Sequence, residues 1–188
     1  MKIGLYGGTF DPIHHGHLIL ARTALEELKL DRVVFIPAAI SPHKLDITST
    51  PAAIRWEMIQ ASIANETGFV ADDLELHRAG PSFTYETVAN YRERFPEAEL
   101  FYFIGSDNLA KLDSWFRIED LQKMVTLVVL DREQSKKEPT FLQISRRFDL
   151  SASEIRNRVA NGLSIRYLVT APVDEIIRRH QLYLNSSY

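Results

Sequence analysis

Four short apolar runs punctuate the chain: Lys2–Tyr6, Val33–Pro37, Leu100–Ile104 and Thr126–Leu130. Each is continuous rather than alternating, the pattern of a parallel strand covered on both faces. Between them the apolar positions recur at steps of three and four. Leu18, Ala21, Leu25 and Leu28 mark one helix; Ile54, Met58 and Ala61, with Ile59 and Ile63, mark a second; Tyr85, Val88 and Phe95, with Ala89, mark a third. The polar stretch Asp131–Pro139 reads as a loop or bend. After it, Ser153–Asn161 and Pro172–Arg179 read as two closing helices, with Pro172 suited to a first helical position. Strands that alternate with helices predict βαβ units and a parallel sheet with right-handed crossovers. Ligands of such sheets bind at the carboxyl ends of the strands, near the topological switch point. The loops to read are therefore those after Tyr6, Pro37, Ile104 and Leu130. There is no internal repeat, low-complexity tract or long charge block, and residues 1–188 are read as one domain.

Composition narrows the chemistry. With 45% hydrophobic residues in 188, the chain has enough apolar surface for a full core. The absence of cysteine excludes disulfides, thiolate metal sites and cysteine nucleophiles. Met1–Leu5 leads straight into a strand, without the charged start and long apolar run of a signal peptide. No apolar window approaches the ~20 residues that span a bilayer. A soluble, cytoplasmic protein with no membrane partner is expected. A formal charge of −3 argues against nucleic acid, whose phosphate backbone attracts a basic surface. Small anionic ligands need only a few local cations. A homo-oligomer is compatible with the sequence.

The loop after the first strand carries the most specific signal. Residues Gly7-Gly8-Thr9-Phe10-Asp11-Pro12-Ile13-His14-His15-Gly16-His17 separate that strand from an amphipathic helix. Paired glycines let the backbone approach a ligand closely. A helix start near Gly16 and His17 supplies N–H groups and the positive end of a dipole, which together suit an anion. His14 and His17, three apart on a first turn, would point to one side and could donate to a phosphoryl group as it gains charge. Taken in fragments these residues are ordinary, because a Gly-Gly pair is usually a turn and a lone histidine usually packs or faces water. A metal pair at this spacing lacks the adjacent glutamate of a His-Glu-x-x-His site, and Gly-x-Gly-x-x-Gly is absent. Taken whole, the eleven residues resemble the Gly-Thr-Phe-Asp-Pro-x-His-x-Gly-His signature of the nucleotidylyltransferase superfamily. That resemblance implies that His14 and His17, and not His15, contact the reacting phosphates.

Later segments bear on the substrate. Ser41-Pro42-His43-Lys44 follows the second strand, where a binding loop belongs, although taken alone it reads as an ordinary solvated loop. Pro81-Ser82-Phe83-Thr84-Tyr85-Glu86-Thr87 opens a helix, with Ser82 or Thr84 as N-cap; that helix start would also suit a small carboxylate. Ile104-Gly105-Ser106-Asp107 closes the third strand with an acid that could accept from ribose hydroxyls. Trp115 follows eight residues later; tryptophan more often packs in a core, yet in a loop near the strand ends it would suit stacking on a pyridine ring. Leu150-Ser151-Ala152-Ser153-Glu154-Ile155-Arg156 places Ser151 and Glu154 at capping-box spacing, and Arg156 could reach an anion at the helix start.

Together and in this order, these segments resemble those of bacterial nicotinate mononucleotide adenylyltransferases. The likeness runs from Met1 to Tyr183, whose closing Gln181-Leu182-Tyr183 resembles the family's usual ending. It implies an α/β, Rossmann-like parallel sheet with helices on both faces and a small C-terminal helical extension. It implies adenylyl transfer from ATP to nicotinate mononucleotide. His14, His17, Lys44 and Arg156 would be catalytic. Gly8, Thr9, Phe10, Gly16, His17, Gly105, Asp107, Ser151, Ser153 and Arg156 would bind ATP. Gly7, Lys44, Thr84, Tyr85 and Trp115 would bind the mononucleotide. Mg²⁺ would arrive on the triphosphate, without dedicated protein ligands. Three positions depart from the pattern. Ala152 replaces a serine, Asp131-Arg132-Glu133 stands where an Arg-Pro pair is common, and Thr170 stands where proline is frequent and reads as a cap. Nicotinamide mononucleotide or phosphopantetheine as acceptor, and a nucleotide-binding module without chemistry, remain rival readings.

Overall fold

In the computed structural model, residues 1–40, 49–78, 80–132 and 141–184 are described. The elements in chain order are β1 (Lys2–Gly8), α1 (His15–Glu27), β2 (Arg32–Pro37), α2 (Ala52–Ile63), β3 (Phe69–Ala71), α3 (Thr84–Arg94), β4 (Glu99–Gly105), α4 (Ile118–Met124), β5 (Thr126–Asp131), β6 (Leu142–Ser145), α5 (Ala152–Ala160) and α6 (Ala171–Arg179). Two 3₁₀ segments, Leu74–His77 and Ser106–Ser114, complete them.

The six strands form one sheet in the order β3-β2-β1-β4-β5-β6, and every pair is parallel. The four strands expected from continuous apolar runs are its four inner strands, and their residues alternate between two cores. Tyr6, Val33, Phe35, Phe101, Phe103, Val128 and Leu130 face one core, where α1, α2, α5 and α6 add Leu20, Met58, Ile59, Ile155, Val173 and Ile176. Ile3, Leu5, Val34, Ile36, Leu100, Tyr102, Ile104, Leu127 and Val129 face the other, covered by Val88 and Tyr91 of α3 and Leu121 of α4. Burial on both sides is the reason these runs contain no polar alternation.

Several boundaries differ from the sequence reading. β1 runs on through Gly7 and Gly8, which pair with Ile36 and Pro37, so the first two loop residues belong to the sheet. α1 begins at His15 with His14 at the N-cap, one turn position earlier than Gly16 and His17 suggested. The N-cap of α3 is Phe83, not Ser82 or Thr84, and no side chain caps it; Ser82 Oγ instead accepts from the Ala39 N–H at 3.0 Å. Thr170 holds the N-cap position of α6 without a side-chain cap, its hydroxyl meeting Ser62 at 3.3 Å, and Pro172 follows as the second helical residue. Ser151 does cap α5, accepting from Glu154 N–H at 3.1 Å. Asp131, read as the start of a loop, ends β5 fully buried and accepts from Gln143 at 2.8 Å. β3, β6 and α4 had no distinct sequence pattern. β3 has three residues, β6 begins on exposed Leu142 at the sheet edge, and α4 makes two turns.

Phe103 lies in a central strand with its ring 5.7 Å from that of Tyr6. Phe103→Ala should cost about 3–5 kcal/mol of unfolding free energy, as read from urea titration; a loss below about 1 kcal/mol would contradict a closely packed core there.

Candidate active site

The chain turns to one side of the sheet after β1 and to the other after β3, which opens a crevice at the carboxyl ends of β1 and β4. A cavity of about 630 Å³ occupies it. Of the residues expected at the site, Gly7, Gly8, Thr9, Phe10, His14, Gly16, His17, Thr84, Gly105, Trp115, Ser151, Ser153 and Arg156 all line that cavity. Lys44, with Ser41, Pro42 and His43, lies outside the described residues. Asp107 lies in the 3₁₀ segment after β4, and its side chain is likewise outside what is described. Tyr85, one residue into α3, turns its ring towards Phe116 at 5.9 Å and lies under the Arg117 guanidinium at 4.1 Å, away from the lining.

The loop conformation has identifiable causes. A Cβ on Gly7 would lie 2.1 Å from the Tyr102 hydroxyl, and one on Gly16 would lie 2.9 Å from the His14 ring. Both glycines therefore make room for neighbouring side chains of the site. Phe10 has φ of +51°, an uncommon conformation for a residue with a side chain. Its buried ring packs edge-on against His17 at 5.1 Å and against Tyr6 at 5.4 Å.

The two imidazoles stack, with ring centroids 3.7 Å apart and planes 29° apart. The backbone N–H of His14 donates to His17 Nδ1 at 3.2 Å. A backbone N–H can only donate, so Nδ1 of His17 is an acceptor and a neutral ring carries its proton on Nε2. The ring is thereby set as a donor beside the cavity. Burial, with the Arg132 guanidinium and His15 adding to it, pushes the His14 imidazole down from 6.5 to about 3. His14 is thus neutral at neutral pH.

Cations approach from the α5 side of the crevice. Arg156 Nη1 donates to the Asp11 carbonyl at 2.8 Å and Nη2 to Ser153 Oγ at 3.1 Å, which holds the guanidinium over the start of α5. Arg132, whose place the sequence left open, also lines the cavity and donates to the Leu150 carbonyl at 3.0 Å. The opposite side is aromatic and hydroxylic. Thr84 Oγ1 donates to Tyr102 Oη at 3.3 Å, Trp115 is half-buried and meets Tyr102 edge-on at 6.3 Å, and Phe116 stands exposed beside Phe83 at 5.0 Å. Sequence reading missed Tyr102, Phe116 and Glu75 as lining residues, and buried Arg55, which donates to the Thr9 carbonyl at 2.7 Å from behind the wall. Among the described residues no group of three or more His, Asp and Glu side chains could hold a metal ion, and no helix is long and apolar enough to cross a membrane.

A parallel sheet of this order, with its glycine loop leading into a helix at the switch point, places the chain in a nucleotidyltransferase class: residues 5–158 match the family model described as cytidylyltransferase-like. Curated relatives narrow the class. The probable nicotinate-nucleotide adenylyltransferase of Exiguobacterium sibiricum is 40% identical, with 97% of this chain and 99% of that one covered. The protein of the same name from Thermus thermophilus is 41% identical, with 97% and 100% covered. The chain belongs to this nicotinate-nucleotide adenylyltransferase family. Its fold is also that of the Plasmodium falciparum nicotinic acid mononucleotide adenylyltransferase complexed with NaAD, at a TM-score of 0.81 and 21% identity over 97% of each chain.

The state of His14 has a consequence for stability. An unfolded chain protonates this residue near its ordinary 6.5 and the folded chain only near 3, so between those values the unfolded state binds one more proton. Its contribution is complete above the upper value and is lost as pH falls through the window, by up to about 1.4 kcal/mol per pH unit. Urea titrations at pH 7 and pH 5 should show His14→Asn losing less stability on acidification than the parent chain; equal losses would contradict a buried neutral imidazole.

Proposed function

We propose that the chain transfers the adenylyl group of ATP to nicotinate mononucleotide, forming nicotinate adenine dinucleotide and releasing pyrophosphate, in the cytoplasm. The observation that carries this reading is the cavity's two-sided character. A His17 donor set by the His14 N–H stands with Arg132 and Arg156 on one side, and Thr84, Tyr102, Trp115 and Phe116 stand on the other.

The acceptor phosphate is already anionic at neutral pH, so the reaction needs neither a side-chain nucleophile nor a strong base. An oxygen of that phosphate forms a bond to the α-phosphorus of ATP. The bond from that phosphorus to the bridging oxygen breaks, and its electron pair leaves on pyrophosphate. The protein's task is alignment and stabilisation of the charge that shifts toward the leaving group. His17 Nε2–H and the Gly8–Thr9 backbone would face the α-phosphoryl oxygens. Arg156, with the hydroxyls of Ser151 and Ser153 at the start of α5, would hold the departing β and γ phosphates. Lys44 and Gly105, with Phe10 and Gly16 shaping the loop, complete the set taken from the family pattern. Asp107 would meet a ribose. Gly7, the Thr84–Tyr85 backbone and Trp115 would take the nicotinate end. Ala152 removes one hydroxyl from the α5 start, but Ser151 and Ser153 remain on the cavity wall. Mg²⁺ would enter as part of the nucleotide, and no step here runs through a metal held by the protein.

Pyrophosphate release, assayed with ATP and each of nicotinate mononucleotide, nicotinamide mononucleotide and phosphopantetheine, should be fastest with the first. Faster release with the amide would overturn the substrate, and nucleotide binding without release would overturn the chemistry. His17→Ala should keep the circular dichroism of the fold and lose on the order of a hundredfold or more in turnover, as when a preorganised donor is removed elsewhere. Near-parental turnover in that variant would remove His17 from the mechanism.

A further inference from the structure

The closing Tyr183 and the motif residue Asp11 do not line the cavity, yet they meet behind it. Each is 8% exposed. The Tyr183 hydroxyl donates to Asp11 Oδ1 at 2.5 Å across 172 positions of sequence. The other carboxylate oxygen accepts from the Thr50 N–H at 3.0 Å, and Thr50 Oγ1 donates to the Tyr183 hydroxyl oxygen at 3.3 Å. Arg55, 2% exposed, donates to the Thr50 carbonyl at 2.8 Å and to the Thr9 carbonyl at 2.7 Å. Arg156, on the cavity side, donates to the carbonyl of Asp11 itself.

We propose that the Tyr183 hydroxyl is a positioning group for adenylyl transfer: by holding the Asp11 carboxylate, it fixes the Thr9–Asp11 backbone on which Arg156 and His17 depend. Three observations support it. Both carboxylate oxygens are bound by donors from separate parts of the chain, and a buried polar network that is fully satisfied rigidifies its members. Phe10, inside the held stretch, has left-handed backbone that persists only where its surroundings over-determine it. The Phe10 ring in turn packs on His17, so movement of the loop is passed to the reacting phosphates from two sides, through Arg156 and through His17. Burial and the neighbouring Asp11 carboxylate both push the Tyr183 phenol upward, so it remains a donor throughout the working pH range. A C-terminal residue thereby takes part in the chemistry without touching substrate.

This inference rests on the adenylyl-transfer reading, and the test keeps the two apart. Tyr183→Phe keeps the buried ring and removes one hydroxyl. It should lower kcat/KM for ATP about tenfold and weaken ATP binding by calorimetry severalfold, while KM for nicotinate mononucleotide stays within about twofold. Asp11→Asn should show a similar loss, and adding Tyr183→Phe to it should cost little more, because the two groups act as one unit. Thr50→Val, which deletes only the bond that orients the hydroxyl, should shift ATP kinetics in the same direction by about two- to threefold; this milder variant serves if the others fold poorly. Unchanged ATP kinetics in folded Tyr183→Phe, or equal losses for both substrates, would overturn the proposal. If the parent chain binds ATP and releases no pyrophosphate, the adenylyl-transfer reading falls. The clasp is then judged on ATP affinity alone, and an unchanged value in Tyr183→Phe overturns it.

Discussion

Parallel pairing of β1 with β2 on one edge and β4 on the other is the constraint from which the rest of the molecule follows. Parallel neighbours require crossovers, and the crossovers on the two sides of β1 run to opposite ends of the sheet. Helix N-termini and strand ends converge where they part. The glycine pair ends β1 at that point, and the Tyr102 ring beside Gly7 leaves no room for a Cβ. A concave site is thus a consequence of strand order, and side chains from both faces of the sheet reach it.

Under the proposed function, the charges within that crevice would act on an anion that arrives from outside. Burial and the Arg132 guanidinium keep His14 neutral, and its place at the N-cap of α1, where positive charge is disfavoured, acts in the same direction. A neutral imidazole costs less to bury than an imidazolium ion. Positive charge is carried by arginines, which do not lose their protons: Arg132 and Arg156 on the cavity, and Arg55 behind it. Burial lowers the Arg55 pKa, and the Asp11 carboxylate nearby opposes that effect. Asp11 therefore does two things, balancing a buried cation and giving Tyr183 and Thr50 a common anchor.

The parts legible from sequence were those whose cause is local. The inner strands were readable because burial on both faces makes every residue of Val33–Pro37 or Leu100–Ile104 apolar. The loop was readable because its glycines and histidines lie within eleven residues. Ser151 was readable as a cap because its partner is the N–H of Glu154, three residues on. β3 and β6 were not, since the one is too short for a periodicity and the other lies at an edge where Leu142 is exposed. The start of α3 misled for a related reason. Ser82 has the composition of a cap, but the Ala39 N–H competes successfully for its hydroxyl.

What the sequence alone determined, then, is the class of layers and the chemical groups on the first loop. Backbone periodicity and the spacing of glycine and histidine act over a few residues and need no distant partner. The tertiary structure decided which of those groups meet and in what state. It set His17 as an Nε2–H donor, made Arg132 part of the cavity, left Trp115 half-buried against Tyr102, and brought Tyr183 to Asp11. Such pairings depend on strand order and on desolvation by distant elements, and neither quantity is contained in any short window of residues.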